Sequence, residues 1–409
     1  MKNFPLWRGG APIYIVVGCF RMLRWVDGTW RTLYIVSENI YTHNTQKIIH
    51  GMFRTVQRRG MASMAKELVL PKKYGGRYTV TLIPGDGVGK EITDSVVSIF
   101  EAENIPVDWE RVDISTSDNI QDVSQAVESL KRNKIGLKGI WHTSADIADH
   151  GSFNVALRKQ LDMFAHVAFF KSVPGVKTKI PNVDLVVIRE NTEGEYSGLE
   201  HESVPGVVES LKIITKAKSE RIARFAFDFA KKYNRKSVCA VHKANIMKMG
   251  DGLFRNTVTE IGANEYPDIQ TSSIIVDNAS MQAVAKPHQF DVMVTPSMYG
   301  TIIGNIGAAL IGGPGLVAGA HYGREHAVFE PGSQHVGLDI KGKNVANPTA
   351  MILSSTLMLQ HLGLTESAKR IAKATHDVIS LGQVTTKDIG GSASTTEFTE
   401  AIIKRLGEL

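Results

Sequence analysis

Cysteine is almost absent from this chain, with two residues in 409, Cys19 and Cys239. Cys19 lies in a basic leader and Cys239 is alone in the body, so the folded part has no intramolecular disulfide framework, which fits a reducing interior such as cytosol or an organelle matrix. Long apolar runs are missing too. IYIVVGCF (13–20) is followed by Arg21 and Arg24 and is far shorter than the roughly 20 residues that span a bilayer. A transmembrane helix is excluded, and no membrane partner is expected. Acid is scarce at one end only: up to Lys73, twelve Lys/Arg face three acids, Asp27, Glu38 and Glu67. The net charge of +6 therefore belongs to the leader, the remainder carrying −3, and it argues nothing for nucleic acid. Proline-rich linkers, low-complexity tracts and internal repeats are also lacking, so any two domains pack closely and share chain crossings.

What remains is an ordinary soluble balance, 43% hydrophobic and 22% charged, with length for two or three domains. Within the leader, MFRTVQRRGMASMAK (52–66) carries arginines and hydroxyls and one Lys but no acid, the composition of an organelle-targeting presequence. A disordered basic tail is the alternative to targeting. Residues 1–51 show no pattern, and a reading frame extended upstream of Met52 would account for them.

From Tyr78 the pattern alternates between strand and helix. RYTVTLI (77–83) reads as a strand, followed by Ile92, Val96, Ile99 and Phe100 at helical spacing. DLVVIRE (184–190), SVCAVH (237–242), SSIIVD (272–277) and FDVMVTP (290–296) are further strands. Ile222, Phe225, Ala226 and Phe229 stripe a helix opened by Ser219, and Asn347 and Pro348 form the N-cap and first-turn pair of the one containing MILSSTLML. The fold class is α/β.

Several segments carry chemistry. IPGDGVGKE (83–91) joins strand to helix where a phosphate loop would lie, yet its glycines at 85, 87 and 89 fit neither G-x-G-x-x-G nor G-x-x-x-x-G-K-S/T, and it reads as a tight turn. HGSFNVALRK (150–159) sets Ser152, Asn154 and Arg158 within seven residues, small donors and a forked cation suited to a carboxylate. A capped helix start explains Ser152 equally well. RENTEGEYSGLEHE (189–202) places Arg189 and Tyr196 among five glutamates after a buried-type strand, as a site or as a solvated loop. Lys243 follows an apolar strand, suited to acid/base work or to an interfacial ion pair, and Asp277 is a metal ligand or a helix cap. In YGTIIGNIG (299–307), Thr301 and Asn305 share one helical face. Aspartates so placed would hold Mg²⁺ or Mn²⁺, whereas a hydroxyl and an amide are weak neutral ligands.

Together IPGDGVGKE, SFNVALRK, RENTEGEYSG, HKANIMK, VDNASMQ and NVANPTAM resemble the isocitrate and isopropylmalate dehydrogenase family, the metal-dependent decarboxylating dehydrogenases, from about Tyr74 to the C-terminus. ENTEGEYSG is similar to the isocitrate-using branch, and the wording as a whole looks most like its mitochondrial NAD-dependent members, which mix catalytic and regulatory chains. The resemblance implies a two-domain α/β fold with mixed sheets flanked by helices and no Rossmann glycine fingerprint. It divides the chain into a leader (1–73), a large nucleotide-side domain (74–163 with 312–409) and a small domain (164–311) with a dimer-interface clasp near 194–216.

The implied reaction converts isocitrate and NAD to 2-oxoglutarate, CO₂ and NADH with Mg²⁺ or Mn²⁺, at sites assembled across a dimer interface. Lys243 and Asp277 match the residues one chain lends to its partner. Ser152, Asn154, Arg158 and Arg189 match the substrate clamp and Tyr196 the catalytic tyrosine of the same site, but Ala168 stands for a carboxylate-binding arginine, and Thr301 and Asn305 stand for the metal's other two carboxylates. Asp339, Ile340 and Asn347 match the nucleotide side, where AMP or ADP is expected as an allosteric ligand, although FEPGSQHVGLDIKG (329–342) departs from the family wording. The expectation is a regulatory chain of the mitochondrial matrix that binds citrate or isocitrate, is inactive alone and works with a catalytic isocitrate dehydrogenase subunit in a hetero-oligomer. The rivals are a self-sufficient isopropylmalate or homoisocitrate dehydrogenase, and a non-catalytic scaffold or nucleic-acid-binding protein.

Overall fold

A computed structural model describes residues 22–26, 29–33, 71–114, 120–143 and 153–409. The chain separates into two compact units, residues 1–67 and 68–409. In the first, β1 (Met22–Val26) pairs antiparallel with β2 (Thr29–Leu33). The sequence reading found no pattern here, although Asp27-Gly28 between two strand-forming runs is a strong hairpin signal. The expected presequence at 52–66 lies outside the described residues.

The second unit opens with β3 (Lys73–Tyr74), β4 (Arg77–Ile83), α1 (Gly89–Ala102), β5 (Val107–Arg111), α2 (Ile120–Asn133), β6 (Ile135–Lys138) and α3 (Phe153–Gln160). There follow β7 (Ala165–Lys171), β8 (Asp184–Glu190), β9 (Glu200–Val204), β10 (Val207–Ser210), α4 (Lys216–Lys232), β11 (Ser237–His242), α5 (Gly250–Glu265), β12 (Gln270–Ile275), α6 (Val276–Ala285), β13 (Val292–Thr295) and α7 (Ser297–Ile311). The chain closes with β14 (Ala318–Tyr322), β15 (Ala327–Pro331), α8 (Thr349–His361), α9 (Thr365–Leu381) and α10 (Thr395–Gly407). One mixed sheet runs β12-β11-β13-β8-β7-β14-β15-β6-β4-β3, with β5 also on β4. Its centre, β8-β7-β14-β15, is antiparallel, and parallel pairs extend it on both sides. β9 and β10 form a separate hairpin.

Helices on both faces explain why β8 and β13 are nearly continuous apolar runs rather than alternating ones. On one side, Ile222, Ala226 and Phe227 of α4 and Phe254 and Val258 of α5 pack on Val186, Ile188, Ala240 and Val294. Elsewhere α1, α8, α9 and α10 close over β4, β6, β14 and β15 through residues such as Val96, Leu82, Met351 and Ile371.

Three local expectations need correction. α4 is opened by Thr215, whose Oγ1 accepts from Lys218 N at 3.4 Å, while Ser219 is buried inside the first turns. The strand read through Asp277 stops at Ile275, because Val276 already begins α6. Pro348 is the N-cap of α8 rather than part of its first turn, and the capping acceptor is Asn347 Oδ1, 3.0 Å from Thr349 N. Among the described residues no helix is long and apolar enough to cross a membrane.

Candidate functional site

The C-terminal end of β8 delivers Arg189 beneath α7. A Cβ on Gly300 would lie 2.7 Å from Arg189 Cγ, so glycine at that position is what lets the arginine pass the helix. Nη1 donates to Thr301 Oγ1, Tyr196 OH shares a 2.6 Å hydrogen bond with the same oxygen, and the guanidinium lies 5.5 Å over the Tyr196 ring. Nε and Nη2 are buried without a hydrogen-bond partner. Burial, with the nearby positive charge of Arg158, pulls the Arg189 pKa down to about 10. One turn on, Asn305 Oδ1 lies 3.2 Å from His335 Nε2. Thr301 and Asn305 thus share a face, as read, but both are engaged by protein groups and neither is a carboxylate. This pair does not fit a divalent cation.

Arg158, on α3, is buried, and among the described residues no carboxylate lies within ion-pair distance of it or of Arg189. Burial lowers its pKa, and Glu330 opposes the shift. Asn154, one turn earlier, donates to Trp141 O at 3.2 Å and accepts from Lys138 Nζ at 3.4 Å. Ser152 lies outside the described residues. Ala168 is buried on β7 between Gly319 and Val187, inside the main core.

A buried polar cluster that the sequence reading missed adjoins these arginines. Lys138, ending β6, forms an ion pair with Glu330 of β15, both almost fully buried. His321 Nε2 lies 2.5 Å from Glu330 Oε1, and Asn191 Nδ2 lies 2.8 Å from His321 Nδ1. This assigns the neutral tautomer with the proton on Nε2. Burial drives the His321 pKa down to about 4. Burial alone would raise the Glu330 carboxyl, but Lys138, His321 and Arg158 hold it well below its usual range. A lysine closing an apolar strand, the cue used for Lys243, was also present at Lys138.

Lys243 and Asp277 form a second group. Lys243 follows β11 and its Nζ lies 3.0 Å from Asp277 Oδ1 in the first turn of α6. The hydrogen bond from Lys243 holds the Asp277 carboxyl below its usual range. Lys243 is half-buried and Asp277 exposed, and among the described residues no hydrogen bond or ion pair runs directly from them to Arg189, Tyr196 or Thr301.

Of the residues expected to face a nucleotide, Asp339 and Ile340 occupy a short turn, with Lys343 Nζ donating to Asp339 O at 2.7 Å. Asn347 Nδ2 donates to Asp388 Oδ2 at 2.9 Å. IPGDGVGKE is the tight turn its spacing indicated. Gly85 and Gly87 have positive φ, Cβ atoms there would strike Ile140 O and Val336 O, and the amides of Asp86 and Val88 donate to those carbonyls.

The isocitrate/isopropylmalate dehydrogenase family profile matches residues 79–402. A Kluyveromyces lactis protein named mitochondrial NAD isocitrate dehydrogenase subunit 1 is 77% identical over 353 residues, 86% of this chain and 98% of its own. A Dictyostelium discoideum protein named as a regulatory subunit of mitochondrial NAD isocitrate dehydrogenase is 50% identical over 356 residues, 86% of this chain and 97% of its own. The crystal structure of isocitrate dehydrogenase from Methylococcus capsulatus superposes with a TM-score of 0.76 at 40% identity, covering 80% of this chain and 99% of that one. By sequence and by fold, this chain belongs to the isocitrate/isopropylmalate dehydrogenase family.

Proposed function

We propose that this chain is the regulatory member of a mitochondrial NAD-dependent isocitrate dehydrogenase, an oxidoreductase converting isocitrate and NAD to 2-oxoglutarate, CO₂ and NADH. The names carried by its relatives support the reaction and the mitochondrial location. The observation that carries the regulatory role is the contrast between two groups. Among the described residues no carboxylate pairs with the buried Arg158 or Arg189, and Arg189 bonds to a neutral Thr301, one turn from a neutral Asn305, while the Lys243–Asp277 pair is intact. Buried guanidinium groups are costly unless an anion answers them, and carboxylates of citrate or isocitrate match their forked donors. With no metal carboxylates at 301 and 305, the bound acid is held and not oxidised.

Lys243 and Asp277 act in the partner's site. Lys243 moves a proton at the reacting substrate, and Asp277, together with the partner's carboxylates, would hold a divalent cation, which would supply Lewis-acid polarisation of the substrate oxygen. Asp339, Ile340 and Asn347 form the nucleotide side, read as an AMP or ADP site. The domain division follows the family: 74–163 with 312–409 as the large domain, 164–311 as the small one, and the β9–β10 hairpin as the clasp.

The test is Arg158→Gln in the assembled enzyme. Losing one buried charged contact costs about 2 kcal/mol or more, so half-saturating citrate for activation rises about 30-fold or more. An unchanged citrate response would count against the effector site.

A further inference from the structure

Asp251 lies fully buried in the first turn of α5, and its two carboxylate oxygens serve different segments. Oδ2 accepts from the backbone N of Lys243 at 2.7 Å and so fixes the start of the loop after β11. Oδ1 lies 2.8 Å from Nζ of Lys212, in the segment between β10 and α4. That ammonium is also 2.9 Å from Glu195 Oε1, donates to Tyr299 OH at 3.2 Å and sits 4.7 Å over the Tyr299 ring. Glu195 precedes Tyr196 in a short 3-10 turn, and its Oε2 accepts from Ser297 Oγ at 3.3 Å. Burial works against the Lys212 charge, but Asp251 and Glu195 outweigh it and raise its pKa, so the ammonium stays charged.

Three features make this more than a stabilising contact. A buried ion pair adds little net stability compared with apolar packing, so its worth lies in the geometry it fixes. This one has a single cation shared by two carboxylates, so a change at either end alters the pull on the other. It also bridges two groups that no direct hydrogen bond or ion pair joins among the described residues: the Arg189–Tyr196–Thr301 cluster and the Lys243–Asp277 pair.

We infer that Glu195, Lys212 and Asp251 form a positioning relay through which an acid bound at this chain's own arginines sets the placement of Lys243. The inference rests on the regulatory reading above. An incoming carboxylate engages Nε and Nη2 of Arg189, which lies over the Tyr196 ring, and shifts the turn that carries Glu195. Lys212 then redistributes its donors between Glu195 and Asp251, and Asp251 holds the Lys243 backbone. The bound acid thereby favours one of two arrangements of the lysine presented to the partner.

The experiment uses the hetero-oligomer with citrate and AMP as effectors. Glu195→Gln removes one end of the relay while leaving the Lys212–Asp251 pair, so the activation ratio falls about 2- to 30-fold, the range for altered coupling between sites, and basal turnover stays at the wild-type level. Lys212→Met lowers kcat more than it changes KM for isocitrate, and Lys212→Arg restores it, a split that a packing role would not produce. Should Lys212→Met fail to assemble, Glu195→Gln and Lys212→Arg carry the test. A wild-type enzyme activated by citrate and AMP, with Glu195→Gln activated to the same extent, overturns the relay alone. A wild-type enzyme that neither effector activates, or a Lys243→Met enzyme with full turnover, overturns the regulatory reading and the relay together.

Discussion

Substituting Lys243 by methionine in the assembled enzyme lowers kcat by about 100- to 10,000-fold, the range for loss of a positioned acid or base. Yet this chain, on the reading proposed above, performs no chemistry in its own site. The expectation arises because Lys243 pairs with Asp277 and, among the described residues, makes no hydrogen bond or ion pair to Arg189 or Tyr196, so that on this reading it is free to be lent to a partner. Methionine keeps the length and apolar stem of lysine while removing the charge, so the Asp251 bond to the backbone N at position 243 remains. The same change at the matching lysine of the catalytic partner should have little effect, since that lysine would point into the site that has lost its metal carboxylates. The pair of measurements is therefore asymmetric. Equal losses from the two substitutions would mean that both chains turn over substrate.

Lys138→Met destabilises the fold by about 3–5 kcal/mol, the cost of breaking a buried ion pair by removing one partner. Lys138 and Glu330 are 3% and 0% exposed, so water cannot take the place of the lost charge. The two partners differ in how burial is answered. Glu330 has Lys138, His321 and Arg158 around it and stays ionised despite burial, whereas Lys138 shares Glu330 and is repelled by Arg158, so burial dominates and lowers its pKa. In the variant, the carboxylate keeps a neutral imidazole, the Gln334 amide, whose Nε2 donates to Oε1 at 3.1 Å, and the more distant arginines, with no cation paired to it. Urea unfolding should show a lower midpoint with an unchanged slope. A loss below about 1 kcal/mol, the value typical of exposed pairs, would show that the cluster is open to water.

Most of this architecture could be read from pattern. The buried runs of β4, β8 and β11 and the stripe Ile92, Val96, Ile99 and Phe100 are carried by residues whose burial follows from periodicity. Where the reading slipped, two signals competed locally. Ser219 looks like a cap but Thr215 performs that role, and SSIIVD keeps β-branched Val276 after the backbone has turned into α6. The candidate site was legible by its motif words, which supplied Arg158, Arg189, Tyr196, Lys243 and Asp277. What no single motif held was the wiring. Lys138, His166, Asn191, His321 and Glu330 come from four strands and the residue after a fifth, and only sheet register brings His166 beside His321, ring centroids 4.5 Å apart. Asp251 lies three residues past HKANIMK, but an acid in the first turn of a helix reads as a dipole partner until Lys212 is found beside it.

The central claim is that this chain binds the acid and lends the lysine without catalysing alone. The most direct measurement is NADH formation from isocitrate and NAD with saturating Mn²⁺, first by the purified chain and then after addition of a catalytic partner. The expected result is no turnover above background by the chain alone, with citrate still bound, and full activity once the partner is present. Sustained isocitrate-dependent NADH formation by the lone chain would contradict it.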